Sequence, residues 1–164
     1  MGLWERKIVD ARSAALRIGN AYHASKNFGE TADDVAVKLN VVNGDVSTMY
    51  AVFSVACGGP VDVAIYEDST STGGDALFVR AMNRDYSDRD INAVGTVHGV
   101  TVLSAPTTSG GTLLTDIHQG EGMPDSQPFS GEIALKTGST YTVVATNRAA
   151  AAKHISIAVD FYPM

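Results

Sequence analysis

Cysteine is close to absent from this chain. Cys57 stands alone, so no intrachain disulfide can form and a fold stapled in an oxidising compartment is excluded. Long hydrophobic runs are missing too: no stretch comes near the roughly 18 consecutive apolar residues that a membrane-spanning helix needs, and no membrane partner is expected. The opening residues MGLWERKIVD put Glu5, Arg6, Lys7 and Asp10 where a secretory leader keeps its apolar core, and Arg6 stands where N-myristoylation needs Ser or Thr. The chain is therefore expected to be soluble and made in the cytoplasm. Positive charge is sparse, with 12 Lys and Arg against 18 Asp and Glu and a net charge of −6. Apart from Arg12 and Arg17 the cations are scattered, so no nucleic-acid partner is expected.

What the chain does contain is β patterning. From Met49 to Cys57 and from Val61 to Tyr66 run two apolar segments rich in β-branched and aromatic residues, joined by Gly58, Gly59 and Pro60. They predict a buried hairpin or a sheet-to-sheet corner. Tyr50 and Val52 interleave with Ala51, Phe53 and Val55, so the first strand is expected to be central and dry on both faces. Val35, Val37, Leu39 and Val41 alternate with polar or small residues, and the Asn43-Gly44 step predicts a hairpin that pairs this strand with the one starting near Thr48. Further strands are expected at Tyr22–Phe28, Ala76–Asn83, Val94–Val102, Leu113–Ile117, Glu132–Lys136, Tyr141–Thr146 and His154–Phe161, with an isolated helical turn at Arg148–Ala152.

The turns repeat once. Ser71 to Leu77 and Thr108 to Leu114 align at an offset of 37 residues, each a hydroxyl-rich turn with paired glycines entering a strand. Two copies are too few for a solenoid, and the pair reads as corresponding turns of a two-sheet sandwich. The fold class is all-β, an antiparallel β-sandwich of about eight to ten strands, with a jelly roll preferred over an immunoglobulin-like arrangement because no Cys-Trp-Cys core signature exists. Residues 1–19 carry Leu3, Trp4, Ile8, Val9, Leu16 and Ile18 at a loose helical period, which predicts an N-terminal arm or helix ahead of one domain over 20–164.

Reactive chemistry is hard to find. His23, His98, His118 and His154 lack the close spacing of a metal site, and Cys57 sits among apolar neighbours that would not activate it. No cofactor and no metal are expected. The segment Asp85 to Asp90 places oxygen ligands at alternate positions but lacks the glycine and closing glutamate of a calcium loop. Loop carboxylates such as Glu67, Asp68, Glu121, Asp125 and Glu132 could serve a glycosidase only if two of them faced each other. Residues 119–130, with Met123, Pro124 and Phe129, form the longest irregular stretch, the kind of loop in which binding is found.

Several stretches together, RIGNAYHASKNFGETADD from Arg17, CGGPVDVAIYED, the two hydroxyl-Gly-Gly turns, NRDYS, GSTYTVVATN and the terminal HISIAVDFY, resemble a family of small virion proteins of tailed bacteriophages, the capsid decoration or cement proteins of jelly-roll type. The resemblance runs from about residue 17 to 162, in turns and strands rather than reactive groups. It implies a non-enzymatic protein on the capsid surface that reinforces contacts between major capsid protein subunits, with itself as a second partner in a homodimer or homotrimer at a symmetry axis. Leu3, Trp4, Ile8 and Arg12 of the arm and Met123, Pro124 and Phe129 of the long loop are the expected partner-binding residues. A carbohydrate- or receptor-binding module of a phage tail or fibre is the alternative.

Overall fold

Period-two alternation runs through nearly all of the chain that the structure, a computed structural model, describes: residues 21–44, 48–82, 92–94, 96–97, 99–120 and 132–163. The arm at 1–19 lies outside these residues. In chain order the strands are β1 (Tyr22–Thr31), β2 (Ala36–Asn43), β3 (Met49–Cys57), β4 (Val61–Glu67), β5 (Thr70–Thr72), β6 (Asp75–Ala76), β7 (Phe78–Ala81), β8 (Asn92–Val94), β9 (Thr96–Val97), β10 (Val100–Ser104), β11 (Thr107–Ser109), β12 (Thr112–Gln119), β13 (Ile133–Leu135), β14 (Thr140–Asn147) and β15 (Lys153–Pro163). One sheet has the order β13-β3-β15-β1-β7-β8 and the other β12-β4-β14-β2-β10-β6, with β9 also on β10; β11 and β5 form a separate two-stranded ribbon. Every pairing is antiparallel, as expected of a β-sandwich.

The inward residues of the two sheets make one core. Phe53, Val55, Ile155, Ile157, Val159 and Phe161 from the first sheet meet Leu39, Val41, Val63, Ile65, Tyr141 and Val143 from the second. Tyr22 stacks on Phe161 with ring centroids 5.4 Å apart. Burying each such side chain stabilises the sandwich by about 1.5–3 kcal/mol, which is how a chain with no disulfide holds together.

The repeated turns prove to be the ends of a larger repeat. Strand β4 leads through β5 to β6, which pairs with β10; strand β10 leads through β11 to β12, which pairs with β4. The two connections cross over the outer face of the second sheet as the β5–β11 ribbon, in which Ser71 faces Thr108. A pseudo-two-fold axis runs through the paired residues Asn40 of β2 and Thr142 of β14. Matching anchors hold each connection: Asp68 N–H donates to Thr140 O at 2.7 Å and Ala105 N–H to Lys38 O at 2.9 Å. Asp68 and Ala105 both have positive φ, at 58° and 53°.

Three sequence expectations need correction. The Asn43-Gly44 step does not close a hairpin, because β2 and β3 lie in different sheets. Neither residue has positive φ; the Asn43 amide instead donates inward to Leu135 O at 2.9 Å, and Gly44 N–H donates to Gly99 O. Strand β3 alternates between buried and half-buried positions as far as Val55, because among the described residues only the three-residue β13 separates it from the sheet edge and nothing covers its outer face fully. At Arg148–Ala152 there is no helical turn: Asn147 donates to Thr31 O and Ala151 O and accepts from Ala149 N–H, which fixes the chain in bends. The β3–β4 connection is the sheet-to-sheet corner.

Only glycine fits where the ribbon meets the sheet. At Gly111, φ is +98° and an added Cβ would stand 3.0 Å from Glu67 O and 3.1 Å from Ser69 Cα, whereas at Gly110, φ is +66° and a Cβ would meet open space. Gly111→Ala is expected to lower the urea-unfolding free energy by about 2–4 kcal/mol, combining strain and clash, and Gly110→Ala by about 1 kcal/mol. Equal losses would remove the close approach from the account.

Candidate functional site

Because β5 and β11 are three-residue strands with only their middle residue turned toward the sheet, Ser71 and Thr108 look down on the outer face of β2 and β14. That face is unusual for a sandwich exterior: Asn40 and Thr142 are buried there although both are polar. Asn40 Nδ2 donates to Thr142 Oγ1 at 2.8 Å, and the Ser69 and Thr142 hydroxyls lie 2.6 Å apart. Two polar atoms, Asn40 Oδ1 and Ser71 Oγ, are buried with no hydrogen-bond partner among the described residues. Orphans of this kind mark a place that takes polar guests, water at the least.

Beside them opens a cleft of about 460 Å³, walled by Lys38, Tyr66, Ser69, Thr108, Ser109 and Thr142 and floored by the glycine turn. Lys38 Nζ donates to Thr108 Oγ1 at 2.9 Å. No acidic residue lines the cleft, and Lys38 makes no ion pair among the described residues.

The second surface is the edge strand β12. It is exposed along most of its length, with Leu113 50% and Leu114 42% accessible. A bulge between Leu113 and Thr115 leaves Thr115 to Gln119 in regular register on β4. Behind this edge His118 Nδ1 lies 2.5 Å from Asp62 Oδ1, Arg148 Nε donates to Asp62 Oδ2 at 2.5 Å, and Arg148 Nη1 also reaches Asp34. The hydrogen bond with His118 first, and Arg148 after it, holds the Asp62 carboxyl below its usual range. At the end of the core the Tyr141 hydroxyl donates to Glu67 at 2.8 Å and accepts from Lys136 N–H at 3.0 Å. Lys136 Nζ sits 2.9 Å from Glu67. Lys136 and then Tyr141 hold Glu67 low, while burial pushes the Tyr141 phenol up to about 12.

The sequence-predicted contacts Leu3, Trp4, Ile8, Arg12, Met123, Pro124 and Phe129 all lie outside the described residues, as do Asp85 to Asp90 and His98. Cys57 packs against the core. The remaining histidines are spread apart, His23 beside Asp160 at 2.7 Å, His118 beside Asp62, and His154 3.9 Å from Glu30. Among the described residues no three His, Cys, Asp or Glu side chains group as metal ligands. Sequence reasoning missed Lys38, Tyr66 and Thr142 as site residues. The signal was present: the repeat at offset 37 extends back to Val63 and Val100, and its two copies differ in polarity.

Two pH effects follow. With Asp62 and Glu67 depressed in the folded state, the unfolded chain binds more protons near their ordinary values of 3.8 and 4.5, so their contribution is complete above that range and drains as pH falls through the lower folded values. With Tyr141 raised from 10.0 to about 12, its contribution is complete below pH 10 and is lost as pH climbs between those values. Thermal melts across pH are expected to show Asp62→Asn flattening the acid limb and Tyr141→Phe flattening the alkaline limb; limbs identical to the parent would contradict these assignments.

Compared with known proteins, the chain matches no family model, and no curated protein matches it.

Proposed function

We propose that the protein is a structural, non-enzymatic virion component of jelly-roll type that decorates the outside of a tailed-phage capsid and cements contacts between major capsid protein subunits. The resemblance of its turns and strands points to the family, and the edge strand β12, which among the described residues pairs only with β4, is the observation that carries the reading. Among the described residues, three of the four outermost strands of the two sheets are minimal: β13 and β8 have three residues each and β6 has two. Strand β12 has eight, with no Lys, Arg or Pro to blunt it. Short or charged edges are the usual protection against unwanted pairing, and a long unprotected edge is a template for strand addition.

The partner that β12 fits is a second copy of the same chain. Antiparallel pairing that keeps inward faces together and centres on Ile117 sets Asp116 of each copy opposite His118 of the other. Centring one residue earlier puts Asp116 against itself, and like charges directly opposite destabilise a sheet; centring one later loses the Asp116–His118 pairing. A dimer brings two sets of capsid contacts, in which Leu3, Trp4, Ile8, Arg12, Met123, Pro124 and Phe129 remain the proposed anchors. On a repeating lattice two linked modules bind about 10²–10⁴ times more tightly than one.

Mixing the purified protein with expanded, undecorated heads is expected to give a stoichiometric ratio to the major capsid protein in sedimented particles. By sedimentation equilibrium the free protein is expected to be a dimer that Asp116→Lys converts to monomer without lowering the melting temperature. Heads that sediment without the protein would overturn the decoration reading, and a monomeric parent, or a dimer indifferent to Asp116→Lys, would overturn the β12 interface.

A further inference from the structure

We propose that the cleft beneath the crossing ribbon is a binding site for an acidic sugar, with the carboxylate of a uronic acid on Lys38 and the ring hydroxyls on the serines and threonines. This goes beyond capsid attachment, which uses other surfaces. The pseudo-two-fold axis provides an internal control. The same backbone is built twice, with the same ribbon, glycine turns and anchoring hydrogen bonds. Where one half has Lys38, Tyr66 and Ser69, the other has Thr140, Leu103 and Pro106. The fold is therefore satisfied by apolar or neutral residues at these positions. The cation, the phenol ring and the extra hydroxyl are not demanded by the architecture.

The same comparison explains an orphan. Lys38 reaches Thr108, but the hydroxyl of Ser71, the counterpart of Thr108 in the other half, is buried without a hydrogen-bond partner among the described residues, where Thr140 stands in place of Lys38. What the first half gains is a half-buried ammonium that no carboxylate neutralises among the described residues, in a protein whose net charge is −6. One of its three donors goes to Thr108, and the others are available to an anionic group. The remaining wall is matched to a polyol: the accessible Thr108 and Ser109 hydroxyls both donate and accept, as sugar hydroxyls do, and Tyr66 offers a ring to the apolar face of a pyranose. At about 460 Å³ the cleft is larger than an inorganic ion needs and falls in the size range of small-molecule sites.

The test is an amide-resolved NMR titration of the full chain with glucuronate, glucose and inorganic phosphate at constant ionic strength. Glucuronate is expected to saturate in the millimolar range, shifting the amides of Gly110 and Gly111, with glucose binding at least about tenfold more weakly. Lys38→Met is expected to weaken glucuronate about tenfold or more with the melting temperature unchanged, and Lys38→Arg to retain it. Should Lys38→Met fail to fold, Thr108→Val is expected to weaken glucuronate severalfold. Glucose binding equal to glucuronate, undiminished binding by Lys38→Met, or no shifts at the glycine turn would overturn the proposal. Phosphate as tight as glucuronate would overturn the sugar assignment. Loss of this binding would leave particle decoration untouched, so the two readings fail separately.

Discussion

Everything on the second sheet's exterior depends on the hydrogen-bonded pair of Asn40 and Thr142, over which two chain connections cross. A connection that leaves β4 to pair beside β10, and another that leaves β10 to pair beside β4, must pass one another above the sheet. Passing so closely brings backbone against backbone, and a buried backbone must have its polar groups satisfied. The two connections answer this by pairing with each other as a ribbon and by donating Asp68 and Ala105 N–H to the sheet below. Glycines stand where a Cβ would strike the crossing chain. With the ribbon in place, polar residues that an exposed strand face would leave wet become buried, which is why Asn40 and Thr142 are buried on an outward face.

Both candidate surfaces come from places where this symmetric frame stops being symmetric. After the first turn Leu77 is buried at 8% accessibility and the chain turns into the other sheet as β7. At the equivalent step Leu114 is 42% accessible and the chain runs on as β12, the outermost strand of its sheet among the described residues. The same repeat also carries different side chains above its two halves, so one half holds a charged, hydroxyl-lined cleft. A duplicated backbone has thus been given two different exteriors at little cost to its core.

Much of the fold was legible because strand patterning is local. The all-β antiparallel sandwich was expected, although fifteen strands stand among the described residues, nine of them with four or more residues, against the expected eight to ten; the 37-residue echo between the glycine turns was visible as a pattern. What was not legible is which strand joins which sheet. Asn43-Gly44 carries a strong hairpin signal, yet the Asn43 side chain is spent on Leu135 and Lys136, a contact 92 residues away that no local reading can anticipate. The run from Ala76 to Asn83 reads as one strand, but the chain changes sheets at Leu77, whose N–H donates to Val102 O. The cleft escaped notice for the same reason: Lys38, Tyr66 and Thr142 come from three strands that only the crossing topology brings together. The arm and long-loop residues singled out from sequence fall outside the described residues.

The central claim is that this sandwich acts through the outer edge of β12, the last strand of its sheet among the described residues, rather than through a reactive centre. Hydrogen–deuterium exchange of the peptide spanning 112–119 tests it most directly, with the chain held monomeric by dilution, self-associated at high concentration and bound to expanded heads. The account predicts fast exchange along β12 in the monomer and strong protection of Thr115 to Gln119 once associated, with the β5–β11 ribbon unchanged. Exchange along β12 that is the same in all three states would contradict it.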